Sequence, residues 1–378
     1  MPSNIVKGFR TVLWMLCAVA SVDSASLMAQ TPAETSKQFS HPDRIRYDGQ
    51  CLTIDGRDTF VRSAEFHYFR VPRELWRDRF EKIKEAGFNA VDTYVPWNWH
   101  EREMPAGLND FSKVDLSEFK AWLDMAQNEF GFYTIVRPGP FICAEWAGGG
   151  YPRWLAKFAP ATGTNFWLRS ADDSDIAWSV HWYDAVCKVI AQEQITRKPK
   201  GGKGIILMQI ENEYDAFKCA DKAKMLRALY EAARNSGVNV PIFTCLTREC
   251  RESSDPVLSQ VFDSDNYYVG LTAAPSCAQR MMSLRAKQPD APGFVTELQG
   301  GWFSLVGDRL SEDNYSDARH YNAISLMSLL GGASGLNTYM FVGGTEFGGW
   351  GARGQTTTYD YNAPIREWGA RGAKYLVA

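Results

Sequence analysis

Ile205-Ile206-Leu207-Met208-Gln209-Ile210-Glu211-Asn212-Glu213-Tyr214 decides how this chain is read. A short apolar run breaks abruptly into carboxylates, which is how a buried strand delivers polar side chains to its C-terminal end. Seven further runs behave alike: Phe60-Phe66, Ala90-Tyr94, Tyr133-Arg137, Ile242-Cys245, Val261-Asp265, Phe294-Glu297 and Leu336-Phe341. Longer amphipathic segments separate them, among them Leu116, Phe119, Leu123 and Ala126 at helical spacing, and 221–236, which Gly237 closes. Short strands alternating with helices signify a parallel sheet. Eight such units predict an α/β fold, a (β/α)8 TIM barrel, whose usual length is about 250 residues before insertions. An open doubly wound sheet would want a glycine-rich loop after its first strand. Here Phe60-Phe66 runs into His67-Tyr68-Phe69-Arg70-Val71-Pro72 instead.

The chain ahead of the barrel divides in two. Residues 1–29 have the form of a secretory signal: Lys7 and Arg10 precede the apolar run 11–20, and small residues follow around Ala25 and Ala29. That run is too short for a bilayer, which needs about 20 apolar residues. Leu16 before Cys17 argues against lipidation. The expected location is secreted or periplasmic, with no membrane contact once the signal is removed. A polar segment, 30–44, leads to Asp48-Gly49 and Asp55-Gly56, the turn signals of a small hairpin that opens the catalytic region 45–378.

Composition narrows the partner. The 378 residues carry a net charge of -3 with both signs interspersed, so there is no basic stripe for nucleic acid and no polybasic segment for a membrane. A neutral solute fits better. Aromatic residues make up 13%, with 13 Trp, and flat rings stack on sugars, although most buried aromatics serve the core. Past the signal remain cysteines 51, 143, 187, 219, 245, 250 and 277, an odd set in a disulfide-permissive compartment. The expected bridge joins Cys219 to Cys250 or Cys277. No cysteine spacing suits zinc and the five histidines stand singly, so neither metal nor cofactor is expected.

In a barrel enzyme the chemistry gathers at the C-terminal ends of strands. A lone carboxylate there is more often a loop charge or an ion pair. Two on the fourth and seventh strands, Glu213 and Glu297, can face each other across a barrel mouth. Glycoside hydrolysis needs such a pair: one protonated, to assist the leaving oxygen, and one ionised. A separation near 5 Å makes the second a nucleophile and retains configuration, whereas about 6.5 to 9.5 Å admits a water and inverts it. Strict alternation puts Glu211 on the same face as Glu213 and leaves the choice between them open.

Several blocks resemble glycoside hydrolase family 35, the β-galactosidases: 93–98 (Thr-Tyr-Val-Pro-Trp-Asn), 137–146 (Arg-Pro-Gly-Pro-Phe-Ile-Cys-Ala-Glu-Trp), 209–214, Tyr339-Met340-Phe341 with Gly343-Gly344-Thr345, and 359–364. The resemblance covers residues from about 45 onward. It implies Glu213 as acid/base, Glu297 as nucleophile and Glu211 in support. It also implies retention of configuration and a terminal β-D-galactoside as substrate. Substrate contacts implied are Tyr94, Glu145 and Asn212, with Tyr361 steadying Glu297 through its phenol. Trp97, Trp99 and Trp146 read as pocket wall or core, Trp302 as a border of the leaving-group side, and Cys143 as an unpaired packing residue. Leu298 follows the nucleophile where animal members have an aromatic residue. The chain also stops at Ala378, which reads as partway through an eighth helix begun near Pro364, with apolar surface left bare on strands one and eight. Two other readings remain: an exo-β-glycosidase for another sugar, or a sugar-binding protein without catalysis.

Overall fold

A computed structural model describes residues 37–159, 167–309 and 316–378. The signal 1–29 and residues 30–36 of the polar segment lie outside them. The first described elements follow from local turn chemistry. Asp55 and Gly56 both take left-handed backbone, with φ of 52° and 77°, the geometry that matches strand twist in a two-residue hairpin. They join β2 (Leu52–Ile54) to β3 (Arg57–Thr59), and β1 (Ile45–Tyr47) completes a three-stranded antiparallel sheet, one strand more than a hairpin. Tyr47 sets its ring edge-on to Phe262 at 5.0 Å. Lys37 donates to the Ser259 carbonyl at 2.6 Å. The sheet therefore seats at the N-terminal end of the barrel, away from the carboxylates.

The eight apolar runs are the eight strands of a closed parallel barrel: β4 (Val61–Glu65), β5 (Ala90–Tyr94), β6 (Tyr133–Arg137), β7 (Ile205–Gln209), β8 (Ile242–Cys245), β9 (Phe262–Tyr267), β10 (Phe294–Gln299) and β11 (Gly335–Tyr339). They pair in sequence order, and β11 closes on β4 through Gly335 and Val61. Two strands outrun the sequence reading. β9 continues to Tyr267, and β10 carries Glu297 inside it with a register irregularity on both sides. Such a bulge re-aims a side chain.

Helices cover the outside: α1 (Trp76–Glu85), the single turn α2 (Trp97–His100), α3 (Ser117–Asp124), α4 (Asp173–Glu193), α5 (Lys222–Asn235), α6 (Pro275–Lys287) and α7 (Ala318–Leu330). Asp172, Asp221 and Asp317 cap α4, α5 and α7, each accepting a hydrogen bond from a first-turn amide. Gly237, at φ 93°, ends α5 as its sequence position implied. Alternation fails once among the described residues, between β8 and β9, where the link holds only 3₁₀ turns at Arg248–Cys250 and Leu258–Gln260.

Two expectations are corrected. No α-helix begins near Pro364. The Arg366 guanidinium turns back onto the Asp360 carboxylate at 2.6 Å, Gly369 takes φ 88°, and Ile365 bridges Arg371, so the segment folds into turns with one 3₁₀ helix at Ala373–Leu376. The bare apolar surface exists nonetheless as a groove of about 440 Å³, lined by Phe60, Phe88, Leu326, Leu329 and Leu336. Cys219 forms no bridge with Cys250 or Cys277, and all seven described cysteines are free. Cys250 is buried in the turn after β8 and Cys277 in α6, each fixed on its own element while Cys219 lies half-buried in the β7–α5 link.

Candidate active site

Glu297 is a heavily supported carboxylate at the barrel mouth. Its Oε1 accepts from the Tyr94 hydroxyl at 2.7 Å and from Arg137 Nη2 at 2.5 Å, and its Oε2 accepts from the Tyr268 hydroxyl at 2.5 Å. Three converging donors, one of them a guanidinium, are the contacts of an ionised carboxylate. Arg137 closes β6 and is itself fixed: Nε donates to Gln209 Oε1 at 2.9 Å and Nη2 to Asn212 Oδ1 at 3.1 Å.

Glu211 and Glu213 part company because strand alternation stops at Gln209. Both take left-handed backbone, with φ of 56° and 45°, so their side chains no longer share a face. Glu211 turns into protein, where Arg169 clasps it with Nε at 3.1 Å and Nη2 at 2.6 Å, and the Asn212 amide donates to it as well. Glu213 turns toward Glu297. Asn266, the register partner of Glu297 on β9, donates Nδ2 to Glu213 Oε1 at 2.8 Å. Burial, reinforced by the charge of Glu297, pushes the Glu213 carboxyl above the ordinary range. Two carboxyls in one site thus have opposed environments, one met by three donors including a guanidinium and one by a single neutral amide.

The Arg169–Glu211 contact makes a prediction. Arg169→Met leaves Glu211 buried without its counter-ion, and breaking such a pair typically costs about 3–5 kcal/mol. Urea denaturation should show a loss of that size. A change under about 1 kcal/mol, the range of an exposed ion pair, would contradict this account of Glu211.

The opposite wall is built on strained backbone. Cys143, Ala144 and Glu145 are consecutive non-glycine residues with φ of 54°, 53° and 48°, each costing on the order of 1 kcal/mol or more. Arg70 Nη2 holds the Ala144 carbonyl at 2.5 Å, and the Ala352 amide holds that of Glu145 at 2.8 Å. Glu145 then accepts from the Tyr359 hydroxyl at 2.6 Å. Burial, with the charges of Glu297 and Glu346 adding to it, pushes its carboxyl up to about 7 against the pull of Tyr359 and Arg70.

Tyr94, Glu145, Asn212 and Tyr361 all lie around Glu213 and Glu297, but Tyr361 is not the phenol that donates to Glu297. That part falls to Tyr94 and Tyr268, while Tyr361 hydrogen-bonds Tyr268 and packs 5.6 Å from the Tyr339 ring. Asn212 Oδ1 faces Gln209 Nε2, Arg137 Nη2 and the Cys245 thiol. Its amide group is thereby turned to present Nδ2 as donor. Trp97 is core, stacked on Trp182 at 5.9 Å, and Trp146 is buried against Trp350. Trp99 borders the same aromatic group, and Arg102 covers its face at 4.3 Å. Trp302 packs edge-on to Tyr268 at 5.5 Å, on the Glu297 side.

Sequence reasoning missed Asn266, Tyr268 and Arg169. Asp265-Asn266-Tyr267-Tyr268 carries the same polar and aromatic signal as the other strand ends and yields to the same rule once β9 is extended. Arg169 sits in a long loop, and no local pattern marks it. Among the described residues no three His, Cys, Asp or Glu side chains group to hold a metal ion, and no helix is long and apolar enough to cross a membrane.

A closed (β/α)8 barrel with two glutamates of opposed environment, one just past its fourth strand and one in its seventh, defines a glycoside-hydrolase barrel. The sequence matches the profile of glycosyl hydrolases family 35 over residues 51–378, and the chain belongs to that family. Among similar proteins, the β-galactosidase of Bos taurus is 34% identical over 341 residues, 88% of this chain and 48% of the relative. That of Homo sapiens is 33% identical over 338 residues, 88% of this chain and 46% of the relative. The chain thus spans about half the length of the curated relatives it matches. In fold it is similar to a GH2 β-galacturonidase from Eisenbergiella tayi bound to galacturonate, with a TM-score of 0.54, 15% identity, and coverage of 88% of this chain and 52% of that one.

Proposed function

We propose that this chain is the catalytic barrel of a retaining exo-β-galactosidase that removes terminal non-reducing β-D-galactose from oligosaccharides or glycoconjugates. The observation that carries the reading is the contrast between Glu297, met by three donors, and Glu213, buried beside it. The β-galactosidase relatives supply the sugar.

Glu213, holding its proton, protonates the glycosidic oxygen as the bond to the anomeric carbon breaks. Glu297 attacks that carbon from the opposite face and forms a galactosyl-enzyme ester. Glu213, now ionised, takes a proton from water as the water displaces Glu297, and the product keeps the β configuration. Asn212 Nδ2 donates to the sugar 2-hydroxyl, a contact that strengthens as positive charge develops on the ring. Glu145 reads ring hydroxyls. Secretion through the leader 1–29 belongs to the same proposal.

A panel of nitrophenyl glycosides checks it. The β-D-galactoside should be cleaved with the highest kcat/KM, and proton NMR should show β-galactose as the first product. Preference for a glucoside, a glucosaminide or an α-galactoside would refute the sugar assignment. First release of α-galactose would refute retention.

A further inference from the structure

Beneath Glu297 the barrel interior holds two further carboxylic acids. Glu65 closes β4 and Asp92 lies in β5, and the two are register partners in the parallel ladder. Both are wholly buried. Asn337 Nδ2 stands between them, 2.6 Å from Glu65 Oε2 and 3.2 Å from Asp92 Oδ2. Two like charges on opposed buried neighbours cannot both persist without water, so the pair holds one proton.

The surrounding hydrogen bonds locate that proton. Arg70 Nη1 lies 2.7 Å from His67 Nδ1. A guanidinium only donates, so this imidazole nitrogen is an acceptor, and the ring is neutral with its hydrogen on Nε2. That Nε2 donates to Glu65 Oε1 at 2.9 Å. Glu65 thus collects His67 and Asn337 and faces Arg137 Nη1 at 3.6 Å, whereas Asp92 Oδ1 meets no donor. This distribution of donors favours the charge on Glu65 and the proton on Asp92. Burial acts in the same order, lifting Glu65 to about 7 and Asp92 well above its usual range, the charge of Glu65 adding to the effect on Asp92.

Arg137 is the shared element. Its Nη2 donates to Glu297 and its Nη1 points at Glu65, where it makes no hydrogen bond. One guanidinium therefore stands between two carboxylates. We propose that Glu65 is a positioning residue for the nucleophile: a single negative charge, kept on Glu65 beside a neutral Asp92, draws Arg137 away from full pairing with Glu297. The Glu297 carboxylate, less fully paired, attacks faster. This rests on the reading of Glu297 as nucleophile. The charged or titratable neighbours are His67, Asp92 and Arg137 around Glu65, with Arg70 behind them, and Arg137, Tyr94, Tyr268, Glu213, Glu145, Tyr339, Tyr361, Cys143, Cys245, His67 and Asp92 around Glu297.

Two near-isosteric variants of the full chain test it with a nitrophenyl β-D-galactoside. Glu65→Gln removes the charge, so Arg137 pairs with Glu297 alone. The acid limb of kcat/KM should move down by about one pH unit, and kcat should fall about tenfold with KM changed less than about threefold. Asp92→Asn substitutes one neutral group for another and should leave the limb in place and kcat within about threefold. An infrared difference spectrum, wild type minus Asp92→Asn, should contain a protonated-carboxyl stretch at neutral pH, a readout that survives if Glu65→Gln fails to fold. A missing band, an equal limb shift in both variants, or an unmoved limb in folded Glu65→Gln overturns the proposal. Azide rescue of Glu297→Gly, assayed alongside, reads the nucleophile assignment separately: rescue without a Glu65 effect refutes the positioning role alone, and no rescue refutes the reading beneath it.

Discussion

Glu297→Gly is expected to lower kcat/KM for a nitrophenyl β-D-galactoside by on the order of 10⁴-fold or more, because the substitution deletes the bond-forming atom rather than a supporting contact. The variant should still fold. Arg137 keeps Gln209, Asn212 and Glu65 as partners, and Tyr94 and Tyr268 gain room for water. The vacated space suits a small anion beside a guanidinium. Azide should therefore restore turnover by attacking the anomeric carbon from the face Glu297 occupied, and the product should be α-galactosyl azide, identified by NMR. Unchanged activity would dispose of the assignment. A β-galactosyl azide would exchange the roles of the two glutamates.

Glu213→Gln should produce a loss that depends on the leaving group. General acid catalysis contributes roughly 10²–10⁴-fold where the departing oxygen is basic, so disaccharides should suffer that much. A dinitrophenolate leaves unaided, so its release should be nearly preserved in the first turnover, after which the galactosyl-enzyme accumulates for want of a base. The same variant should lose the alkaline limb of the pH profile. Burial raises the Glu213 carboxyl, so the wild-type acid stays protonated into pH values where an exposed glutamate has ionised, and activity declines only as pH passes its elevated value. Equal losses for good and poor leaving groups, with the limb retained, would show that Glu213 is not the acid.

The strand framework was legible because each barrel strand is a short apolar run ended by polar residues, and hydrophobic periodicity survives in a single sequence. The choice of Glu213 over Glu211 was not legible from spacing, since it depends on two left-handed residues after Gln209 and on Arg169, some forty positions upstream. Tyr361 was credited with a contact that Tyr268 makes. The two phenols touch each other, and only the end of β9, one strand from Glu297, shows which reaches the carboxylate. Helicity after Pro364 failed because Arg366 found Asp360, a partner at turn distance that no periodicity encodes. Glu65 and Asp92 were read as plain members of their strands, because nothing local reveals that they are neighbours.

The small sheet at the closed end of the barrel bears on how the molecule assembles. Tyr47 and Lys37 find their partners 213 and 222 residues further along, and β4 must wait for β11. Contacts so distant in sequence incur loop-closure entropy before they return any stabilisation, which slows folding. During synthesis residues 37–59 emerge long before anything exists for them to rest on. The seat itself, Ser259 to Phe262, is made before β10 and β11, so the leading sheet can dock before β11 shuts the cylinder on β4.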